Sequence, residues 1–355
     1  MNNEQKNKIE YKKYKEIYDN ILENNLASNV IPCKGKLREY QFKVLNNALK
    51  WFKIFKKENI EFFIQDGALL GAYRNGGFIP WDDDIDVGMM RKDYEKLKKY
   101  LKENAVEFNA KNLQYDGKTK YTAFKKFIKN NPNKDIFIQT PEGLQIFNGK
   151  NIKNTMLLDV YPYDFYNEEC SINDYIEQTK CIKTNIFNSN NTFGFIKKYL
   201  RQHGFVKQNV VEKSNKINFG FDNLGAYICK NLDWFSYEDF FPLKMIKFEN
   251  TELPAPRNIE KFLEINYGLD YMNFPKSFSI SGHVNYRISS SKKNFKEIVL
   301  TPFQRLMLDK YIYKHYPNKS ELYKKKTQSL KMKLNFLNSI IKTSEEKWKQ
   351  DLKNI

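Results

Sequence analysis

Trp81-Asp82-Asp83-Asp84-Ile85-Asp86-Val87 sets carboxylates at four of five consecutive positions, closed at each end by a hydrophobic residue. Like charges this close repel, so a fold that keeps them together must offset the repulsion with a divalent metal, with Lys or Arg partners, or with water. The alternation of Asp84-Ile85-Asp86-Val87 favours the metal: in a β-strand of period two, both Asp side chains point to one face while Ile85 and Val87 enter the core. Two carboxylates on one face make half of a Mg2+ site, because such a cation fills its other positions with water and substrate phosphate oxygens. Adjacent strand residues point to opposite sides, which puts Asp82 and Asp83 in a supporting or solvent-facing position. A solvated acidic turn is the plainer alternative. A calcium loop is excluded, since counting from Asp82 the positions that need Gly and Glu hold Val87 and Asp93.

The residues before this run add to its meaning. Phe62-Phe63-Ile64-Gln65 reads as a buried strand, and Asp66-Gly67-Ala68-Leu69-Leu70-Gly71-Ala72-Tyr73-Arg74 as a turn entering a short helix. Glycine directly after a strand lets the backbone approach a ligand closely. The helix N-terminus offers N–H groups to a phosphate, with Arg74 as a second cationic contact.

Together, Asp66 to Arg74 and Gly77-Phe78-Ile79-Pro80-Trp81 through Asp86 resemble the signature of the LicD/fukutin-related family. Leu158-Asp159-Val160-Tyr161-Pro162-Tyr163-Asp164 and Tyr267-Gly268-Leu269-Asp270-Tyr271-Met272 are similar to its downstream segments, so the resemblance spans residues 40–285. It implies a nucleotidyltransferase-like α/β (α+β) fold, a mixed sheet flanked by helices, with a helical C-terminal extension. The implied reaction moves phosphocholine, or another phospho-substituent such as a polyol phosphate, from a CDP-linked donor to a glycan hydroxyl, releasing CMP. In this sequence the implied catalytic and metal-binding set is Asp84, Asp86 and Asp159 with Mg2+ or Mn2+, and the donor phosphates fall to Gly67, Ala68, Arg74 and Lys126. Ala68 stands where the family commonly has Thr or Ser, which leaves phosphate contact there to backbone N–H groups.

Other candidates keep two readings each. Asp159 lies in a core-strand pattern running from Thr155 to Tyr161, and the alternative to a ligand is a strand-end Asp bonding local backbone. Phe124-Lys125-Lys126-Phe127 reads as an amphipathic strand whose ammonium groups either reach the donor or stay solvated. Asp164, after a Pro-containing turn, is structural or functional on equal terms. His283 follows the Tyr-Gly segment and is read as a hydrogen-bonded structural residue; His203 and His315 are too scattered for a zinc site.

Charge and cysteine usage limit the partners. With 60 Lys+Arg against 42 Asp+Glu the net charge is +18, yet no zinc-finger spacing and no RNA-recognition motif occurs. The charge is therefore read as suited to anionic nucleotide-linked substrates, glycans or a membrane surface rather than to nucleic acid. Cys33, Cys170, Cys181 and Cys229 lie far apart and the start is polar, so reduced thiols in a cytoplasm are expected, with peripheral contact at the inner face of the membrane as an added expectation. No apolar run reaches the length of a spanning helix.

The chain divides into an N-terminal helical extension (1–39), the catalytic domain (40–285, with a variable insert at 180–220) and a basic helical region (286–355). Phe42, Leu45, Leu49, Phe52 and Phe55 predict a helix ahead of the first strand, Arg91 to Asn104 another, and Ile259 to Tyr267 a third. Phe248 to Pro256 reads as a strand ending in a Pro-rich turn. Leu330, Leu334, Leu337 and Ile341 among lysines predict a basic amphipathic helix that either packs on the protein or lies on an anionic membrane. The rival functions are a true nucleotidyltransferase and a non-catalytic basic binding protein.

Overall fold

A computed structural model of the chain describes residues 2–108, 124, 126–139, 143–148, 157–179, 204–220, 232–275 and 319–341. His203, His283, His315, Cys181, Cys229, Lys125 and most of the 180–220 insert lie outside the described residues.

An eight-stranded mixed sheet carries the architecture. Its strands are β1 (Phe63–Gln65), β2 (Asp86–Met90), β3 (Val106–Glu107), β4 (Asp135–Gln139), β5 (Leu144–Asn148), β6 (Leu157–Tyr166), β7 (Val210–Val211) and β8 (Lys216–Phe219). The order is β1-β2-β6-β5-β4-β3, with β7 and β8 paired to the far half of β6. β2 runs parallel to β6 and β3 parallel to β4; the remaining pairs are antiparallel. β6 is ten residues long because Leu158, Val160, Tyr163 and Tyr166 are all buried, the mark of a central strand covered on both faces.

Helices flank this sheet as their apolar spacing requires. α2 (Lys36–Lys57) buries Val44, Leu45, Ala48, Trp51, Phe52 and Phe55, and α4 (Arg91–Asn104) buries Tyr94, Leu97 and Leu101 at spacings of three and four. α3 (Asp66–Asn75) follows β1 without a linking residue. Downstream come α5 (Tyr237–Phe240), a two-stranded hairpin of β9 (Lys244–Phe248) and β10 (Thr251–Ala255), and α6 (Ile259–Tyr267). The predicted strand from Phe248 is present as β10, preceded by a hairpin turn at Glu249 and Asn250, and Pro254 lies inside β10 at the edge of its sheet, where a missing N–H is tolerated. Asp164 proves structural: Arg91 donates to it twice, each at 2.8 Å, and fixes the start of α4 on β6.

The amphipathic C-terminal helix, α7 (Lys319–Ile340), resolves toward packing. Leu330, Leu334, Leu337 and Ile340 are buried in the same cluster as Tyr18, Ile21 and Leu22 of α1 (Asn3–Glu23). Ile31 N–H donates to Ile340 C=O at 2.7 Å, so both terminal segments join the main core. Lys126 differs from its predicted strand, because residues 126–130 are helical and the lysine is exposed. Phe124 and Ile128 at this turn pack with Ile136, Ile138 and Phe147 in a separate cluster, burial that spacing of four serves and alternation does not. No described helix is long and apolar enough to cross a membrane.

Candidate active site

The acidic run leaves a turn at Pro80 and Trp81 and enters β2 at Asp86, and burial alternates along it. Trp81, Asp83, Ile85 and Val87 are buried, while Asp82, Asp84 and Asp86 are partly exposed. Strand pairing begins only at Asp86, so Asp84 lies in the extended lead-in to β2. The period-two argument therefore holds over a longer stretch than the paired strand. By exposure Asp82 groups with Asp84 and Asp86, while Asp83 is buried yet keeps its carboxylate beside those of Asp82 and Asp84. Side-chain oxygens of Asp82, Asp83 and Asp84 all lie within 4.8 Å of one another.

Neighbouring strands extend the cluster. Gln65 on β1 pairs with Asp86 on β2, Asp86 with Asp159 on β6, and Asp159 with Gln145 on β5. Register partners share a sheet face, so these side chains form one polar row across four strands. Gln145 Nε2 donates to Asp159 Oδ1 at 2.9 Å and orients that carboxylate, which is 8% exposed. Strand register sets Asp159 beside Asp86, and Asp84 lies within electrostatic reach of Asp86, whereas among the described residues the carboxylate oxygens that converge are those of Asp82, Asp83 and Asp84. The turn carrying Lys126 packs over Ile136, Ile138 and Phe147, on the row's face of the sheet but beyond Gln145.

Asp66 is a member that sequence reasoning passed over. It begins α3 with φ of 47°, a left-handed conformation that few residues other than glycine accept. Gln65 Nε2 donates to its Oδ2 at 2.7 Å and Asn266 Nδ2 to its Oδ1 at 3.4 Å. Burial raises its carboxyl to about 6, Gln65 opposing and Asp84 adding to the rise. Asp82 is held well above the usual carboxylate range by burial and then by Asp84 and Asp83. Asp86 is raised likewise by burial and by Asp84, Asp159, Asp66 and Asp82. Such mutual repulsion is the electrostatic condition in which a cation is favoured.

Several contacts hold the acidic run in place. Gln41 of α2, fully buried, donates through Nε2 to the carbonyls of Ile79 and Asp82 at 3.2 and 2.8 Å. Arg38 and Glu249 form a two-pronged ion pair at 2.7 and 2.5 Å, and Glu249 also accepts from Phe78 N–H at 2.9 Å. The hairpin turn therefore clamps the segment that leads into Trp81.

The predicted phosphate contacts sort differently. A Cβ on Gly67 would lie 2.3 Å from Asp82 Oδ2, so the missing side chain makes room for that carboxylate. Ala68 is buried in the core cluster. Arg74 is 8% exposed; its Nη1 donates to the carbonyls of Tyr271 and Asn273 at 2.8 and 3.4 Å, its Nε to Asn75 Oδ1 at 3.2 Å, and its guanidinium lies 5.7 Å from the Trp81 ring centre. Burial lowers its pKa to about 10 against the pull of Tyr267 and Asp82, so it stays a cation beside the carboxylates. The only advance signal for Asn266 and Tyr267 was their place at the Tyr-Gly segment.

A mixed sheet with a strand-to-helix turn at one carboxylate and further carboxylates on adjoining strands defines a nucleotidyltransferase-like domain. Residues 59–201 match the family described as LicD/FKTN/FKRP, nucleotidyltransferase domain. The chain is 29% identical over 219 residues to the lipopolysaccharide cholinephosphotransferase LicD of Haemophilus influenzae, covering 61% of this chain and 72% of that protein. An uncharacterized protein of Rickettsia prowazekii is 33% identical over 114 residues, 32% of this chain and 38% of the other. One from Rickettsia typhi is 49% identical over 41 residues, covering 12% and 13%.

Proposed function

We propose that this chain transfers a phospho-substituent, with phosphocholine the first candidate, from a CDP-linked donor to a hydroxyl of a glycan or lipid-linked saccharide, releasing CMP. The observation that carries the proposal is the carboxylate row, set in a chain that matches the LicD family over residues 59–201 and is similar to a lipopolysaccharide cholinephosphotransferase.

The donor set fits Mg2+ or Mn2+, being all oxygen, partly open and crowded with negative charge. Asp82, Asp84 and Asp86 with Asp159 would hold the ion, which when bound supplies charge neutralisation to diphosphate oxygens. The chain's own residues do the rest. Gln145 orients the Asp159 carboxylate, and Gln41 holds the backbone of the acidic run through the Asp82 carbonyl. Arg74, fixed by the carbonyls of Tyr271 and Asn273, supplies a permanent positive charge at the edge of the row. A carboxylate of the row takes the proton of the attacking hydroxyl, the new oxygen to phosphorus bond forms, and the bond to CMP breaks with its electron pair leaving on CMP.

The test has two parts. Thermal shift with CDP-choline, CDP-glycerol and CDP-ribitol, with and without Mg2+, should give metal-dependent stabilisation by at least one donor. CMP release with lipopolysaccharide as acceptor should fall by several kcal/mol of transition-state stabilisation in Asp84→Asn and Asp86→Asn, with folding retained. Undiminished release in both variants overturns the reading. Mass spectrometry of the acceptor separates a gained phospho-substituent from a gained nucleoside monophosphate, the outcome of the rival nucleotidyltransferase.

A further inference from the structure

The side chains gathered at the carboxylate row divide unequally into hydrogen-bond acceptors and donors. Ionised Asp66, Asp82, Asp84, Asp86 and Asp159 only accept, and the diphosphate of a nucleotide-linked donor only accepts as well. Donors nearby are largely spent. Gln65 and Asn266 give their amides to Asp66, and Gln145 gives its amide to Asp159. Arg74 gives Nε and Nη1 to Asn75 and to the carbonyls of Tyr271 and Asn273. Ala68 has no hydroxyl to offer.

Tyr267 stands apart from these. It is the last residue of α6, and Gly268, with φ of 82°, turns the chain away directly after it. The preceding Asn266 reaches Asp66, which places this end of α6 over the row. The half-buried phenol lies within electrostatic reach of Asp66, Asp82 and Asp86 and of Arg74. Among the described residues, its hydroxyl enters no hydrogen bond.

We propose that Tyr267 is a catalytic residue whose hydroxyl donates a hydrogen bond to a non-bridging oxygen of the phosphoryl group under transfer. The proposal rests on the phosphotransferase reading above and adds a donor to it. Negative charge spreads over the equatorial oxygens as the phosphoryl group moves, so a donor fixed there binds the transition state more tightly than the ground state. Tyr267 keeps its own proton throughout; the acceptor's proton still goes to a carboxylate of the row. Burial, reinforced by the neighbouring carboxylates, pushes the phenol well above its ordinary range, so the proton is present at any working pH.

The test compares full-length wild type, Tyr267→Phe and Asp84→Asn in CMP release from CDP-choline with Mg2+ and lipopolysaccharide. Tyr267→Phe keeps the ring and its packing, and should lower kcat on the order of 10²-fold with KM for the donor and Tm little changed. A donor carrying sulfur at the non-bridging position, a weaker acceptor, should narrow the gap between wild type and the Phe variant. Wild-type kcat in Tyr267→Phe, a rise in KM alone, or a gap that sulfur leaves unchanged overturns the role of Tyr267 while leaving the wider reading intact, provided Asp84→Asn is inactive. Absence of CMP release in the wild type overturns the phosphotransferase reading and this proposal together.

Discussion

Gly67 shows how a single backbone position serves the chemistry. With a side chain there, Asp82 could not stay, because the added Cβ would lie 2.3 Å from Oδ2. Gly67→Ala should leave stability nearly unchanged or slightly raised, since alanine in a helix gains up to about 1 kcal/mol over glycine. Turnover should fall by roughly 10²-fold, the usual consequence of displacing a reacting or binding group by about an ångström. Parallel measurements of Tm and CMP release check this, and a variant with wild-type turnover would show that Asp82 is not needed where it lies. Alternation made Asp84 and Asp86 legible in the sequence, but the apolar partners that reveal it, Ile85 and Val87, begin only after Asp84 and so gave no reason to add Asp82. Asp66 was hidden for another reason: its carboxylate enters the row through a left-handed backbone, which no side-chain period encodes.

Elements assembled by local periodicity were the most legible. The predicted helix from Arg91 to Asn104 has those bounds in the structure, and so does the one from Ile259 to Tyr267. What spacing could not give is which distant helix end closes the site. α6 does so because its start is tied down by Asp239, which accepts from Lys261 Nζ at 2.7 Å, from Asn258 Nδ2 at 2.9 Å and from Ser236 N–H at 2.7 Å. Burial raises the Asp239 carboxyl, but Lys261, Ser236 and Asn258 more than offset this and hold it below the usual range. A carboxyl depressed on folding stabilises above its unfolded pKa of ~3.9, and that contribution disappears as pH falls through the lower folded value. Asp239→Asn should therefore lower Tm at pH 7 and flatten the wild-type decline below pH 4. Unfolding curves from pH 2 to 7 decide it, and equal pH slopes for both proteins would refute the assignment. Lys126 marks the opposite failure, since two lysines between two phenylalanines fit a strand or a helix, and the choice was made by packing on β4 and β5.

At the scale of the molecule, a strongly basic chain concentrates carboxylates at one place. The net charge of +18 favours approach of an anionic donor, while the row supplies the local negative charge that a cation needs. The helical extensions at either end of the chain share the main core. Leu337 and Ile340 of α7 are fully buried in the cluster that also holds Tyr18 of α1, Trp81 beside the carboxylates and Val160 of β6. Truncating one of them removes contacts from the common core. Leu337→Ala should cost about 2–5 kcal/mol, and the loss should be felt at the active site as well as in the terminal helices. Trp81 lies against Phe274 and Arg74, and Trp51 and Trp234 pack in or against the same core, so near-ultraviolet circular dichroism follows the packed aromatic core that includes the site while far-ultraviolet ellipticity follows the helices. Both signals should shift together to lower denaturant in the variant, as one cooperative core requires. If the helical signal moves and the tryptophan signal keeps its wild-type midpoint, the terminal helices are an independent unit and the site does not depend on them.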